Sequence, residues 1–345
     1  MDLAIAGMLT VDGLTNGAIY ALLGLATVMV FAVTRVIFIP QGEFVAFGAL
    51  TLAMLQSHLI PGTVWLLLLL AVLAVMVEAA QGWREAWPAM RLVRSVASLL
   101  AFPLLACLLA IWLAPKDLPL WADAVLSLAL VTPMGPLLYR LAYQSLESST
   151  PLVLLIVSVG VHFALTGLAL VFFGPEGYRN PSFWAEVFNL GPVPVSGQAL
   201  IIFFTTLVLI VGLWFFFDRT LYGKALRATA INRTGARLMG ISSHTAGQLT
   251  FTLAAFIGAL SGLLIGPTTT VLFDSGFIIG LKGFVAAVIA GLSSYPGALV
   301  VALGVGLVES FSSFWASAFK EVLVFALILP ALWLRSGRTG EEEDH

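Results

Sequence analysis

The sequence is short of charge. Asp, Glu, Lys and Arg make up 10% of its 345 residues, against 60% hydrophobic residues, where a soluble domain carries about 25% charged residues. So few ions cannot cover a surface of this size, so most of that surface faces lipid, and the mean hydropathy of +1.04 agrees. The net charge of -2 offers no basic surface for nucleic acid. A single cysteine, Cys107, excludes an intrachain disulfide; within SLLAFPLLACLLAIWL it reads as a small apolar packing residue. The four histidines, His58, His162, His244 and His345, have no second ligand three or four residues on, so no metal and no cofactor are expected. His162, between Val161 and Phe163, reads as a packed, hydrogen-bonded side chain. The one Gly-Lys pair, Gly223-Lys224, is followed by Ala225 and lacks an upstream glycine, so it is not a nucleotide-binding loop. With no G-x-S-x-G nucleophile either, the sequence points away from an enzyme. Asp2 in place of a basic start, and no A-x-A site after the first apolar run, argue against a cleaved signal peptide.

What is abundant is long apolar runs. A spanning helix needs about 20 mostly apolar residues. Runs free of Asp, Glu, Lys and Arg cover 13–34, 95–115, 124–139, 152–173, 187–217, 238–273 and 283–308. Two more are 44–77, which must split at Pro61-Gly62, and 322–334. Backbone amides in lipid must bond within their own segment, so these runs are helices; the period-2 alternation of a membrane barrel is absent. The 283–308 run breaks at Ser294-Tyr295-Pro296-Gly297, leaving a first piece too short to cross alone. The expected fold is all-α: a polytopic integral membrane helical bundle forming one domain, 1–345, with about ten spans and one or two short or re-entrant helices.

Basic residues set the orientation. With the N-terminus outside, Arg35, the Arg84/Arg91/Arg94 group, Arg140, the five basic residues of 219–237 and Arg335/Arg338 fall inside, twelve against four. The four others are Lys116, Arg179, Lys282 and Lys320. The Pro/Gly-rich segment 174–196 is then the sizeable external loop. Glu341-Glu342-Glu343-Asp344-His345 reads as a solvated acidic tail.

Small residues recur every four positions, as Gly13/Gly17 and as Gly258/Gly262/Gly266. This spacing lets a neighbouring helix approach closely; lining a solute path is the alternative. A faint echo links GEFVAFGAL at 42–50 to KGFVAAVIAGL at 282–292, as in transporters built from two related halves. Ionisable groups at membrane depth are Glu43, Glu78, Lys282 and Glu309. Glu78, beside Gln81 and Arg84, is expected to snorkel. Pro40-Gln41-Gly42 breaks the chain before Glu43, and a helix start at membrane depth could bind a carboxylate; a plain loop with an acid in the first helical turn is the alternative. Gln41-Gly42-Glu43 and Lys282-Gly283-Phe284 are therefore candidate path residues, with short helices facing each other across the route.

The segment 218–245 (DRTLYGKALRATAINRTGARLMGISSHT) is the longest polar stretch between apolar runs. Its candidate partner-contact residues are Gly223, Lys224, Arg227, Ala228, Ala230, Asn232, Arg233, Gly235, Arg237 and Gly240. Its alanines favour helix, Gly235 is expected to end or kink that helix, and Gly240 to act as a second stop. Arg227 and Arg233 are expected at the rim, open to acidic partners.

That segment and what surrounds it resemble the permease family of the bacterial branched-chain amino acid ABC importers, the H-type subunit in particular. The words that carry the resemblance are YGKALRATAINRTGARLMGI at 222–241, LKGFVAAVIAGLSSYPGALVVALGVGLVES at 281–310, KEVLVFALILPALWL at 320–334, NGAIYALLGLATVMVF at 16–31 and QGEFVAFGA at 41–49. It covers roughly 1–60 and 135–340. It departs from the family in carrying Gln41-Gly42-Glu43 where His-Gly-Glu is usual, Asn232-Arg233 where an acid is common, and a longer 80–135 that adds a helix. The resemblance implies a bacterial inner-membrane protein paired with a second permease subunit, two cytoplasmic ATPase subunits and a periplasmic solute-binding protein, with 218–245 as the ATPase contact. Its solute would be a branched-chain or related amino acid, with urea or an amide as the nearby alternative. An ion-coupled carrier working alone would need buried ion sites, for which only Glu43, Lys282 and Glu309 supply charge.

Overall fold

The computed structural model describes residues 3–86 and 88–333; the acidic tail, Arg335 and Arg338 lie outside the described residues. The helices are α1 (Leu3–Thr34), α2 (Glu43–Gln56), α3 (Gly62–Arg84), α4 (Ala89–Leu113), α5 (Leu120–Val131), α6 (Met134–Leu138) and α7 (Pro151–Phe173). A two-stranded antiparallel hairpin follows, β1 (Val187–Leu190) and β2 (Val193–Ser196). The chain continues as α8 (Gly197–Arg219), α9 (Leu221–Ile231), α10 (Arg233–Leu238), α11 (Ser243–Ile265), α12 (Ser275–Ile289), α13 (Tyr295–Trp315) and α14 (Lys320–Ala326). Among the described residues, eight helical stretches are long and apolar enough to cross a membrane: α1, α3, α4, the run from α5 through Leu146, α7, α8, α11 and α13. The protein is thus an all-α polytopic bundle.

Two apolar helices are short. At 1.5 Å per residue, α2 with 14 residues and α12 with 15 reach about 22 Å, less than the roughly 30 Å hydrocarbon core. A buried 3-10 turn over Ile39–Gly42, with Pro at its start, precedes α2. Pro61 takes an extended conformation and caps α3 at the expected split. Left-handed Gly291 and Leu292 close α12. The Ser294 side chain then accepts from Gly297 N to open α13.

Three expectations change. No break stands before Lys282, which lies inside α12; the interruption falls at 266–274, where Pro267 and three threonines separate α11 from α12. The 187–217 run is not one helix, because its first ten residues pair as the hairpin and α8 begins at Gly197, capped by Ser196. The echo between 42–50 and 282–292 does not mark equivalent positions, since one opens α2 and the other closes α12.

α1 lies at the centre and packs on α11, α12 and α13. Its Gly13 and Gly17 meet α13 with no room for a side chain: a Cβ on Gly17 would sit 2.8 Å from Leu303 Cα. On α11, a Cβ on Gly262 would sit 2.0 Å from the Val45 carbonyl oxygen of α2, and one on Gly258 would sit 2.7 Å from Phe44 Cβ. Gly266 abuts Asn180 of the external loop. Lipid gives no hydrophobic drive for helix association, so such close backbone approach supplies the packing. The small-residue spacing therefore marks helix seams. The outer faces of α4 and α8 carry Leu108, Trp112, Phe204 and Trp214 exposed, as side chains in lipid are.

Because the long helices alternate in direction, the hairpin, the start of α1 and the end of α13 share one end. The end of α1, α9, α10 and the start of α11 share the other.

Candidate functional site

At the hairpin end a cavity of about 740 Å³ opens between α1, α8, α12 and α13. Its charged wall is assembled from three distant parts of the chain. α12 carries Lys282 into the interior, where its Nζ donates to Glu309 Oε1 of α13 at 2.5 Å and to Glu321 Oε1 of α14 at 3.3 Å. Tyr20 of α1 donates its hydroxyl to Glu309 Oε2 at 2.5 Å. Lys282 is 4% exposed, so its charge is sustained by two carboxylates rather than by water. Asp12, Lys320 and the hydroxyls of Thr268 and Ser275 line the same space.

The other path candidates lie elsewhere. Gly42 is in backbone contact with α12: a Cβ there would sit 2.0 Å from Gly276 O. Gly283 packs on Leu23 in the same manner, and Phe284 is half-buried. At these two glycines a bulky residue displaces a helix rather than narrowing a route. Gln41 donates to Ala254 O at 2.9 Å, and Glu43 Oε1 is 2.9 Å from His162 Nδ1. His162 also stacks on Phe277, with ring centroids 4.5 Å apart. It is packed and hydrogen-bonded, with Glu43 as its partner. Glu43 is fully buried in the first turn of a helix that begins at depth.

Glu78 does not snorkel. It is 1% exposed and holds Arg140 on one oxygen and the Ser95 hydroxyl on the other. A carboxylate this close to a helix end stays inside because Arg140 arrives from the turn after α6 to neutralise it. This pair also ties α4 to the bundle through Ser95.

At the opposite end, α9 and α10 form a bent pair. Leu226 packs with Val33 of α1 and Ala246 of α11, while Gly223 lies against the backbone of Phe216 and Phe217. The bend falls at Asn232, whose side chain accepts from Gly235 N and caps α10. Gly235 is therefore inside the new helix rather than its breaker. Gly240, at φ +82°, ends α10: Ile241 N bonds Ala236 O and Gly240 N bonds Arg237 O, closing the helix through a left-handed residue. Arg233 is not a free rim residue. Its guanidinium donates twice to Val33 O, at 2.9 and 2.7 Å, capping the end of α1, and burial pushes its pKa below the ordinary arginine value. Arg237 donates to Glu147 Oε1 at 2.6 Å and to Ser243 Oγ at 2.7 Å. Lys224 and Arg227 are exposed, and Ala228 and Ala230 are half-buried.

The outward face of this pair is apolar. Leu221, Ile231, Leu238 and Met239 are 84%, 79%, 84% and 83% exposed. Sequence reasoning named the basic and small residues of this segment and passed over these, as it passed over Tyr20, Asp12 and Glu321 in the cavity. Five large aliphatic residues interspersed among five cations in 219–239, of which only Leu226 turns inward, were a readable signal. Tyr20 and Glu321 carried none, since only folding brings them to Lys282. Among the described residues, no group of three or more His, Cys, Asp or Glu is placed to hold a metal.

This arrangement, a many-helix membrane bundle with an ion-lined cavity at one end and a bent surface helix pair at the other, is that of a transport permease. The family described as branched-chain amino acid transport system / permease component matches residues 93–332, and the chain belongs to it. It is 29% identical over 259 residues to the high-affinity branched-chain amino acid transport system permease protein BraD of Pseudomonas aeruginosa, 73% of this chain and 84% of that one. LivH of Escherichia coli K12, of the same description, matches with the same identity and coverage. A shorter match, 31% over 147 residues, links it to the xylose/arabinose import permease protein XylH of Sulfolobus acidocaldarius, covering 41% of this chain and 39% of that one. No solved structure matches it significantly. The protein is a multi-pass inner-membrane permease.

Proposed function

We propose that this chain forms half of the translocation path of an ABC importer for branched-chain or related amino acids. A periplasmic binding protein delivers the solute, a second permease subunit completes the path, and two cytoplasmic ATPase subunits drive it. The observation that carries this reading is the exposed apolar face of α9–α10. Large apolar side chains this exposed outside the spanning helices mark an interaction surface, and these stand at the end opposite the cavity, on a segment rich in cations. The segment 218–245 is the ATPase contact in this reading, and the 174–196 loop with its hairpin faces the binding protein. The N-terminus is outside and the C-terminus inside, which places the basic end in the cytoplasm. Solute enters by the hairpin-end cavity, with Lys282 on its wall. Glycines 13, 17, 42, 258, 262, 266 and 283 keep the helices in register around it.

The test is to co-express the chain with the ATPase subunits and the second permease and to measure copurification and ATP-driven uptake in proteoliposomes. Leu238→Asp and Ala228→Trp should lose ATPase association or uptake while the permease stays monodisperse, and Arg227→Ala should keep both. A Leu238→Asp complex that pumps at the wild-type rate would show that this face meets something other than the ATPase.

A further inference from the structure

The cavity wall holds an imbalance that the fold itself does not relieve. One ammonium, on Lys282, faces two carboxylates, Glu309 and Glu321. Glu309 is satisfied on both oxygens, by Lys282 and by Tyr20. Glu321 is satisfied on one: its Oε1 takes Lys282, while its Oε2 is buried with no hydrogen-bond partner. A buried carboxylate oxygen without a partner is costly, and a cluster with one negative charge in excess at membrane depth calls for a cation. Asp12, exposed and in no ion pair among the described residues, lines the same cavity.

The opposite demand is present as well. Lys320 lines the cavity with no carboxylate within salt-bridge distance among the described residues. The hydroxyls of Thr269 and Ser275 offer donors nearby, whereas that of Thr268 is spent on Ile265 O. Leu9, Ile265, Ile278, Ile279 and Phe314 give the wall an apolar part, among hydroxyl and amide side chains that include Thr15, Asn16 and Ser313. The cavity thus combines an acceptor short of a donor, a cation short of an anion, and an apolar surface.

We infer that this cavity is a recognition site for a zwitterionic α-amino acid with an aliphatic side chain. Glu321, supported by Asp12, receives the substrate ammonium; Lys320 and the hydroxyls of Thr269 and Ser275 receive its carboxylate; the isoleucines receive its side chain. Lys282 and Glu309 are positioning residues. They neutralise each other and hold Glu321 by one oxygen, leaving the other for the ligand. A free metal cation would satisfy Glu321 but leave Lys320 and the apolar wall unused, and a carboxylic acid without an amine would do the reverse. The inference rests on the amino-acid importer reading above and assigns the contacts within it.

The test uses the assembled importer in lipid nanodiscs without its soluble binding protein, so that only the membrane site is read. Equilibrium binding is measured for leucine, for 4-methylpentanoate, which lacks the amine, and for 3-methylbutylamine, which lacks the carboxylate. The wild-type complex should bind leucine and hold each analogue at least about tenfold more weakly, the scale of one lost charge-assisted hydrogen bond. Glu321→Gln should lose about tenfold for leucine and with it the discrimination against 4-methylpentanoate. Lys320→Met should lose the discrimination against 3-methylbutylamine. A wild-type complex that binds the amine as well as leucine, or that binds no leucine at all, overturns the proposal whatever the variants do, as does wild-type leucine affinity in Glu321→Gln. If the complex with its binding protein still pumps amino acid on ATP, only the site assignment has failed. If it never pumps amino acid, the importer reading has failed.

Discussion

Two of the charged clusters inside this bundle, Glu78–Arg140 and Lys282–Glu309–Glu321, differ in what surrounds them. Glu78 and Arg140 meet between α3 and the turn after α6, where a carboxylate is 1% exposed and a serine from α4 completes its shell. Lys282 and Glu309 meet on a cavity wall, with a second carboxylate and a tyrosine attached and one oxygen of that carboxylate unpaired. The first cluster has one cation for one anion and does not line the hairpin-end cavity, so it holds helices together. The second has surplus acceptors beside a space large enough for a solute, so it can bind. Charge within a membrane is costly in both places; stoichiometry and the adjoining space tell the two uses apart.

Three substitutions probe this contrast. The largest effect is expected for Glu78→Ala, which strands Arg140 in the interior; removing one member of a buried pair costs about 3–5 kcal/mol. Thermal unfolding in detergent should shift strongly downward, and Glu78→Met combined with Arg140→Met should recover most of it. If Glu78→Ala melts like the wild type, the pair is not the clamp that holds α4. A smaller loss of stability is expected for Glu309→Gln, because Lys282 keeps Glu321 and Tyr20 keeps a hydrogen-bonding partner; a loss of about 1–3 kcal/mol fits a charge-assisted bond weakened rather than stranded. Uptake should fall further than the melting shift accounts for, and a parallel fall in both would place the two clusters in the same structural role. The smallest effect is expected for Arg227→Ala. Its partner Asp218 is 3.8 Å away and both side chains are largely in solvent, so the pair contributes about 0–1 kcal/mol. Melting and uptake should stay near wild type, and a large loss of either would mean that this surface pair carries more than its exposure suggests.

Much of the architecture was legible from residue order. The seam glycines announced themselves by four-residue spacing, and Pro61 and Pro296 opened helices and Gly240 closed one where local stereochemistry says they should. What misled were positions governed by a partner far along the chain. Glu78 resembled a snorkelling residue because its sequence neighbours are Gln81 and Arg84; Arg140, 62 positions away, takes it inward instead. Arg233 resembled a free surface cation until the end of α1 was placed beside it, 200 positions away. Gly235 resembled a helix breaker, yet the Asn232 side chain supplies the cap that starts a helix at that point. Lys282 resembled the edge of a break because charge interrupts the apolar run, whereas Glu309 and Glu321 allow α12 to carry it through the interior.

The sequence by itself determined that this is a membrane bundle and where most of its apolar helices run. It implied about ten crossings, where eight of the described stretches are long enough, and it put the second short helix after Lys282 rather than around it. The reason is local: in lipid each backbone amide must bond within its own segment, so composition and run length decide the helices. Tertiary structure alone decided which charges meet. Tyr20 and Glu309 are 289 residues apart and share a 2.5 Å hydrogen bond. No spacing rule reaches that far, because such a contact exists only once α1 and α13 have closed along their glycine seam and a buried ion has been given its counter-ion.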